Sequence, residues 1–387
     1  MYLSNKDTVE EFWNSSTIES CASNADSHSH LMFKNSFSSF IGSEPELISF
    51  FPSGQLALQN LLESRKNHGS VVLLTAFNCS VVKTAILASG SLPKFYDFNH
   101  EPGNYDWVNL IKQFSPEVGV IIITHYYGVP VDFRAIQDYC EKNDILIIED
   151  CAHTLGGKID GRDTGTIGDA SVFSFNYDKP ISLGWGGISV LNKPHKFNES
   201  QTSFCVPNID EELLLLEKFT RYLRYRRKMI TNPNSLLHRI LNRIKLLKSR
   251  EFKKPHNISI GAVQAELGCW CINHYKNVLN TRIKNAEHIA NSIPQKSWYV
   301  SKNVKPAWVK QKVLINDVKS LNRLSHYLQK SGLRIGNFNW PELLSPEKSL
   351  FLPFSYEASL QWIDVPVHQN LVDQDLKNII QALTQAN

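Results

Sequence analysis

The chain has 387 residues, long for one hydrophobic core and comfortable for two. Apolar residues make up 42% and charged residues 20%, which excludes a disordered or fibrous protein. The 41 Lys+Arg against 37 Asp+Glu leave a net +4, too little to mark a nucleic-acid binder.

The first residues carry charges where a signal peptide needs an apolar stretch, and the longest apolar runs, Val118–Thr124 and Ile145–Ile148, are far shorter than the roughly 18 residues of a membrane span. Seven cysteines, odd in number and scattered, read as reduced thiols, so a cytoplasmic protein is expected. Cys269-x-Cys271 lacks zinc-knuckle spacing and a second ligand pair, and no metal is expected.

From residue 45 to 192 short β-branched runs alternate with helical stretches. Strands are expected at Val71–Phe77, Leu92–Phe98, Gly119–His125, Ile145–Asp150, Ser171–Phe175 and Gly187–Leu191. Leu56, Leu58, Leu61 and Leu62 share one helical face, as do Phe133, Ile136 and Tyr139–Cys140. Strands separated by helices imply an α/β domain: a mainly parallel sheet covered by helices on both faces, with ligands gathered at the carboxyl ends of the strands. Lys158-Ile-Asp160-Gly161-Arg162 departs from this pattern and signals a hairpin turn. Beyond residue 193, Glu211–Lys228 and Ser235–Arg250 have helical periodicity, and a long helix is expected from Gly261 to about Ser292. The rest alternates again, with a strand at Val313–Ile315, a helix around Leu321–Ser331 and a closing helix from Asp373 to Thr384, giving a small α+β domain.

Three features carry chemistry. Asp150 ends the apolar run Ile145-Leu-Ile-Ile-Glu-Asp, where a carboxylate meets a ligand cation, although Asp also serves there as a helix N-cap. Lys179 follows the strand Ser171–Phe175 by four residues and precedes the turn Gly184-Trp-Gly-Gly187, where burial would make it an amine nucleophile. Ser53-Gly54-Gln55 opens a helix whose free N–H groups suit a phosphate, although any N-cap looks alike. Together, a phosphate cradle, an anion for a ring nitrogen and a Schiff-base lysine are what pyridoxal 5'-phosphate requires.

The spacing resembles that of the DegT-type sugar aminotransferases of the aspartate aminotransferase superfamily (fold type I). The matching residues run from His125-Tyr-Tyr-Gly128-Val-Pro-Val-Asp132 through Ile148-Glu-Asp150-Cys-Ala-His153, Gly165-Thr-Ile-Gly168-Asp169 and Phe173-Ser174-Phe175 to Lys179 and Gly186-Gly187. A weaker likeness takes in Ser53-Gly54, Asn257 to Gly268 and Asp364-Val-Pro366-Val-His368. The resemblance implies that Lys179 carries the cofactor as an internal aldimine and moves the substrate proton, and that Asp150 pairs with the ring nitrogen. It implies that His153 touches the ring hydroxyl, and that Ser174 and the Ser53-Gly54-Gln55 turn hold the phosphate. Asn257 would reach the phosphate of a neighbouring subunit, so a homodimer with shared active sites is implied.

This sequence also departs from the family. Cys79 falls where an aromatic residue usually stacks on the cofactor ring, leaving Cys79, Phe77 or Tyr126 for that contact. Gln55 replaces a common Thr, Trp185 a common Glu, and Ser259 a common Arg. His368 and Arg334 fit either a site or a surface role.

Residues 217–254 hold 13 Lys+Arg and two acids, a net +11 that leaves −7 for the rest of the chain. A solvated helical pair, a lid over an anionic substrate and a basic helix on an anionic membrane surface all fit; nucleic acid is not expected, for want of an aromatic platform. The expected organisation is an N-terminal segment and large cofactor-binding domain (1–192), a basic helical insert (193–255), and a long connecting helix with the small domain (256–387). The expected activity is transfer of an amino group, with glutamate as donor, to a keto sugar, nucleotide-linked in the leading reading. The alternatives are another carbonyl substrate on the same fold, or a silent relative acting as a scaffold through the insert.

Overall fold

The computed structural model describes residues 15–67, 69–99, 103–177, 179–199, 203–231, 255–293, 299–315 and 350–385, with isolated positions between 320 and 333. The expected helix Ser235–Arg250, Arg334 and most of the expected helix Leu321–Ser331 lie outside them.

The chain opens on α1 (Ser15–Asn24) and α2 (Ser29–Ile41), followed by β1 (Ile48–Phe51) and α3 (Gly54–Ser64). Next come β2 (Val71–Thr75), α4 (Ser80–Ala88), β3 (Leu92–Tyr96), α5 (Trp107–Ile111), β4 (Val118–Thr124), α6 (Gln137–Lys142) and β5 (Leu146–Asp150). A small hairpin, β6 (Lys158–Ile159) and β7 (Arg162–Asp163), leads to β8 (Ala170–Ser174) and β9 (Gly187–Leu191). In its turn Asp160 and Gly161 both have positive φ, 53° and 82°, as a two-residue hairpin loop requires.

The central sheet has seven strands in the order β1-β9-β8-β5-β4-β2-β3. The run from β3 to β8 is parallel; β9 is antiparallel to β8, and β1 to β9. β1 therefore runs with the parallel set and delivers Ser53 to the same edge as Asp150 and Ser174. Side chains alternate across the strands. Leu73, Ile121, Ile123 and Ile147 face one core, while Val72, Leu74, Val120, Ile122, Leu146 and Ile148 face another, beneath α3 and α4. Because both faces are covered, β4 is buried along its whole length.

After β9 come α7 (Ile209–Thr231) and α8 (Ala262–Ser292), the latter matching the long helix expected there. The C-terminal elements follow, where a small domain is expected: β10 (Val304–Lys305), β11 (Lys310–Leu314), α9 (Pro353–Gln361), β12 (Trp362–Pro366) and α10 (Asp373–Gln385). β11 and β12 pair antiparallel, and Val313, Ile363, Val365, Ile379 and Leu383 share a core with the sheet face that carries Ile121. No helix among the described residues is long and apolar enough to cross a membrane.

The start of the basic stretch is built into the body. Leu216 and Phe219 of α7 are buried with Phe33, Phe37 and Phe175. Glu212, also fully buried, accepts the N–H groups of Val263 at 2.9 Å and Gln264 at 2.7 Å, capping α8 from a neighbouring helix. Burial pushes this carboxyl up to about 7, against the pull of the Gln264 and Val263 N–H groups. Its pKa is thus higher folded than unfolded, so its contribution is full below about 4.5 and falls as the pH rises through 7. Glu212→Ala should cost about 2–4 kcal/mol, because two buried donors lose their acceptor. In denaturant titrations the deficit relative to wild type should be larger at pH 5 than at pH 8.

Candidate active site

A cavity of about 380 Å³ opens at the carboxyl ends of the parallel strands. Ser53, Gly54, Gln55, Asp150, His153, Ser174, Lys179 and Asn257 all line it, although they come from positions more than 200 residues apart in sequence. Sequence reasoning did not single out Asn78, Thr124, His125 or His256, which line it as well.

Each wall has a local cause. Ser53 is the N-cap of α3, and its hydroxyl accepts the Leu56 N–H at 3.2 Å. The first-turn N–H groups of Gly54 and Gln55 have no acceptor within the helix. This turn is wedged against β8 and β9. A Cβ on Gly54 would lie 3.0 Å from the Cβ of Ser174, and one on Gly187 would lie 2.4 Å from the Gly54 nitrogen. Glycine at both positions is what lets the helix start approach Ser174.

The lysine loop is held from two sides. Leu183 donates to the Phe175 carbonyl at 2.9 Å, and the Lys179 N–H to that of Asn176 at 3.1 Å. Gln264, in the first turn of α8, donates its amide to the carbonyls of Leu183 at 2.6 Å and Trp185 at 3.4 Å. Trp185, which replaces a common Glu, is buried in the core and donates its indole N–H to the Ser259 carbonyl at 3.4 Å. It therefore ties the lysine loop to the segment carrying Asn257. That segment is fastened in turn to Cys205, whose N–H reaches the Asn257 carbonyl at 3.1 Å.

Two adjacent carboxylates at the end of β5 have opposite environments. Glu149 is fully buried, and its oxygens accept from His125 Nε2 at 3.0 Å and from the N–H groups of Gly165, Ile167 and Gly168 at 2.8–2.9 Å. Burial alone would raise its pKa; His125 and the Gly165 and Gly168 N–H groups outweigh it and hold the carboxyl below its ordinary value. The Val131 N–H points at His125 Nδ1 at 3.0 Å, which leaves the ring proton on the nitrogen facing Glu149. Cys151 lies beside this pair; Nδ1 of His125 accepts the Val131 N–H, its Nε2 donates to Glu149, and both Glu149 oxygens also accept backbone N–H groups, so the cluster is a hydrogen-bonded hub.

Asp150 points the other way, into the cavity. Its Oδ1 accepts the Ala152 N–H at 3.1 Å. Burial pushes its carboxyl above the usual range, against the pull of the Ala152 N–H, Lys179 and His125. A buried carboxylate whose solvation is so incomplete favours a cationic ligand.

Of the three candidates for the ring contact, Cys79 lines the cavity, at the N-cap of α4. Phe77 and Tyr126 are buried elsewhere, in an aromatic cluster with Phe98. His368 is buried and its carbonyl accepts the Asn285 amide at 3.2 Å, which places it in the joint between α8 and the small domain.

A mainly parallel sheet with a lysine loop after β8 is the architecture of fold type I aminotransferases. The chain matches the DegT/DnrJ/EryC1/StrS aminotransferase family over residues 7–384 and belongs to it. It is 30% identical over 124 residues to GDP-perosamine synthase of Vibrio cholerae, a stretch covering 32% of this chain and 34% of that protein. It is 29% identical over 163 residues to dTDP-4-dehydro-2,3,6-trideoxy-D-glucose 4-aminotransferase of Saccharopolyspora spinosa, 42% of each chain. The aligned stretches thus span a third to two fifths of these relatives. In fold it is similar to S. venezuelae DesV, with a TM-score of 0.74, 18% identity and coverage of 100% of this chain and 98% of that one. Helicobacter pylori PseC gives 0.70 at 18% identity, with 95% of each chain covered.

Glu149→Ala should destabilise the protein by at least about 3 kcal/mol, because His125 and three backbone donors lose their acceptor inside the core. Chemical denaturation of the apoprotein checks this without reference to catalysis.

Proposed function

We propose that this protein is a pyridoxal-phosphate-dependent aminotransferase that moves an amine from glutamate to a nucleotide-linked keto sugar, working as a homodimer. The observation that carries the reading is the meeting, in one cavity, of Lys179, the buried Asp150 carboxylate and the Ser53-Gly54-Gln55 helix start beside Ser174. The cavity fits the cofactor's three chemical demands: an amine for its aldehyde, an anion for its ring nitrogen and a cluster of N–H and O–H donors for its phosphate. The names of the two relatives, which act on GDP- and dTDP-linked sugars, support the substrate class.

When bound, the cofactor supplies an electron sink for the carbanion formed next to the transferred nitrogen. The chain's residues do the rest. Asp150 stabilises a proton on the ring nitrogen, and this also relieves its own burial. The N–H groups of Gly54 and Gln55 and the hydroxyls of Ser53 and Ser174 bind a dianion, helped by the positive end of α3. Lys179 would hold the aldehyde carbon, and its amine is the group that would carry a proton to and from the substrate carbon. His153 orients the ring through its hydroxyl. The homodimer reading rests on the family resemblance, in which Asn257 reaches the phosphate of the neighbouring subunit; within a single chain Asn257 lines the chain's own cavity.

Purified protein supplied with pyridoxal phosphate should show a visible absorption band that Lys179→Ala lacks. Borohydride should fix the cofactor on the peptide containing Lys179. Asp150→Asn should keep cofactor binding but lower amino transfer about 100-fold or more. If wild-type protein shows no visible band and borohydride fixes nothing on Lys179, the reading is wrong. The acceptor is found by offering the pyridoxamine-loaded protein a panel of nucleotide-linked keto sugars and other carbonyl compounds.

A further inference from the structure

A second pair of buried charges lies in the small domain, outside the cavity. Lys312 of β11 stands opposite Asp364 of β12 in register, and both side chains are almost wholly buried. Lys312 Nζ pairs with Asp364 Oδ1, and Lys310 Nζ reaches Asp364 Oδ2 at 2.9 Å. Two cations on one carboxylate leave a net positive charge in the core. Such a charge is expensive unless it has a further partner. Tyr127 provides one: Lys312 Nζ lies 4.0 Å from its ring centroid, well within cation–π range.

Tyr127 is itself tightly fixed. It and Gly128 form the turn after β4, with φ of 56° and 92°, closed by paired N–H···O bonds between Tyr126 and Val129. The approach to β11 is laced onto this turn: Ala307 donates to the Gly128 carbonyl at 2.6 Å and Val309 to that of Tyr127 at 2.7 Å. A Cβ at Gly128 would lie 2.6 Å from the Trp308 nitrogen, so the two segments are in direct contact. The Tyr127 ring also meets the imidazole of His153, at a centroid distance of 5.7 Å and an interplanar angle of 34°. His153 lines the cavity.

We propose that the buried Lys312–Asp364 pair is a positioning element of the active site, holding the Tyr127 ring by cation–π contact so that Tyr127 fixes the imidazole of His153 at the cavity wall. None of the three residues touches the reacting atoms; they act through His153. Burial lowers the Lys312 pKa to about 8, against the pull of Asp364, so the side chain is a cation at neutral pH, as the contact requires. Asp364 would be raised by burial, but Lys310 and Lys312 hold it down to about 2. The value of this arrangement to the cofactor rests on the function proposed above; the coupling of Lys312 to His153 does not.

The test separates the two. In histidine-labelled apoprotein, with the His153 ring resonance assigned through His153→Gln, Lys312→Met should move that resonance, and Lys312→Arg should restore it. The Lys312→Met protein should bind pyridoxal phosphate about threefold to tenfold more weakly, with Lys312→Arg near wild type. Lys312→Met leaves Asp364 paired with Lys310, a neutral pair, and Lys312→Gln removes the same cation with a polar side chain should the Met variant fold poorly. In a Tyr127→Leu background, Lys312→Met should have no further effect on His153. An unmoved His153 resonance in folded Lys312→Met overturns the proposal, as does an Arg variant that behaves like Met or an additive effect in the Tyr127→Leu background. Failure of the wild-type protein to bind the cofactor would instead overturn the function and leave the apoprotein result standing.

Discussion

The buried carboxylate of Glu149 fixes the edge on which everything else is mounted. It ends β5, yet its hydrogen bonds reach the exit of β4 through His125 and the glycine turn before β8 through Gly165, Ile167 and Gly168. The carboxyl ends of β4 and β5 and the start of β8 are therefore locked to one charged group in a medium where each such bond is strong and each orphan costly. The two carboxyl ends deliver His125 and Asp150, while β8, fixed at its start, ends on Ser174 and leads to Lys179 in the loop beyond. A parallel sheet on its own leaves its carboxyl ends free to diverge into loops; here one side chain sets the relative height of β4 and β5 and of the entry to β8.

Glu149 and Asp150 show how alternation along a strand separates structure from chemistry. They are consecutive and both buried, but the pleat sends them to opposite sides. Glu149 meets four donors and is held in its ionised form, so it has no capacity left for a ligand. Asp150 has a backbone N–H from Ala152 and only the more distant influence of Lys179 and His125, and burial prevails. The side chain left short of partners is the one that faces the cavity. This contrast, more than the presence of an acid at a strand end, makes Asp150 a site for a cation and weakens the helix-cap alternative.

What could be read from sequence follows the range of the interactions. The strands of the central sheet from β2 to β9 were placed to within two residues because short β-branched apolar runs are a local signal, and the Asp160-Gly161 turn because φ > 0 is a property of the residues themselves. Asp150, His153, Ser174 and Lys179 were legible through their spacing within one continuous motif, whereas Ser53-Gly54-Gln55 and Asn257 lie far outside it and rested on the weaker likeness. Four things were not. β1, a four-residue run, was not among the expected strands; its strand character depends on pairing with β9, far along the chain. Glu212 and Gln264 look like ordinary helix-surface residues until α7 and α8 are brought together. Trp185 was noted only as an odd replacement, but it is a core residue whose indole binds a loop. Lys312 and Asp364 each have an unremarkable local sequence, and only the β11–β12 register makes them partners.

The same contacts bear on the charge asymmetry of the chain. The basic run is not an appendage tied on by a linker: its first helix, α7, shares the core through Leu216 and Phe219 and caps α8 through Glu212. Gln264 in that capped turn holds the carbonyls of the lysine loop. A chain of buried hydrogen bonds thus runs from Glu212 of α7 through the Gln264 amide to the Leu183 and Trp185 carbonyls of the loop that carries Lys179. The small domain has a comparable route on the other side, from Asp364 through Lys312 and Tyr127 to His153. The loop of Lys179 and the cavity histidine are thus each approached by a buried charge lying outside the cavity, Glu212 of α7 on one side and Lys312 of β11 on the other. The helix that begins the basic run enters the frame of the cavity at the point where the loop of Lys179 is fastened.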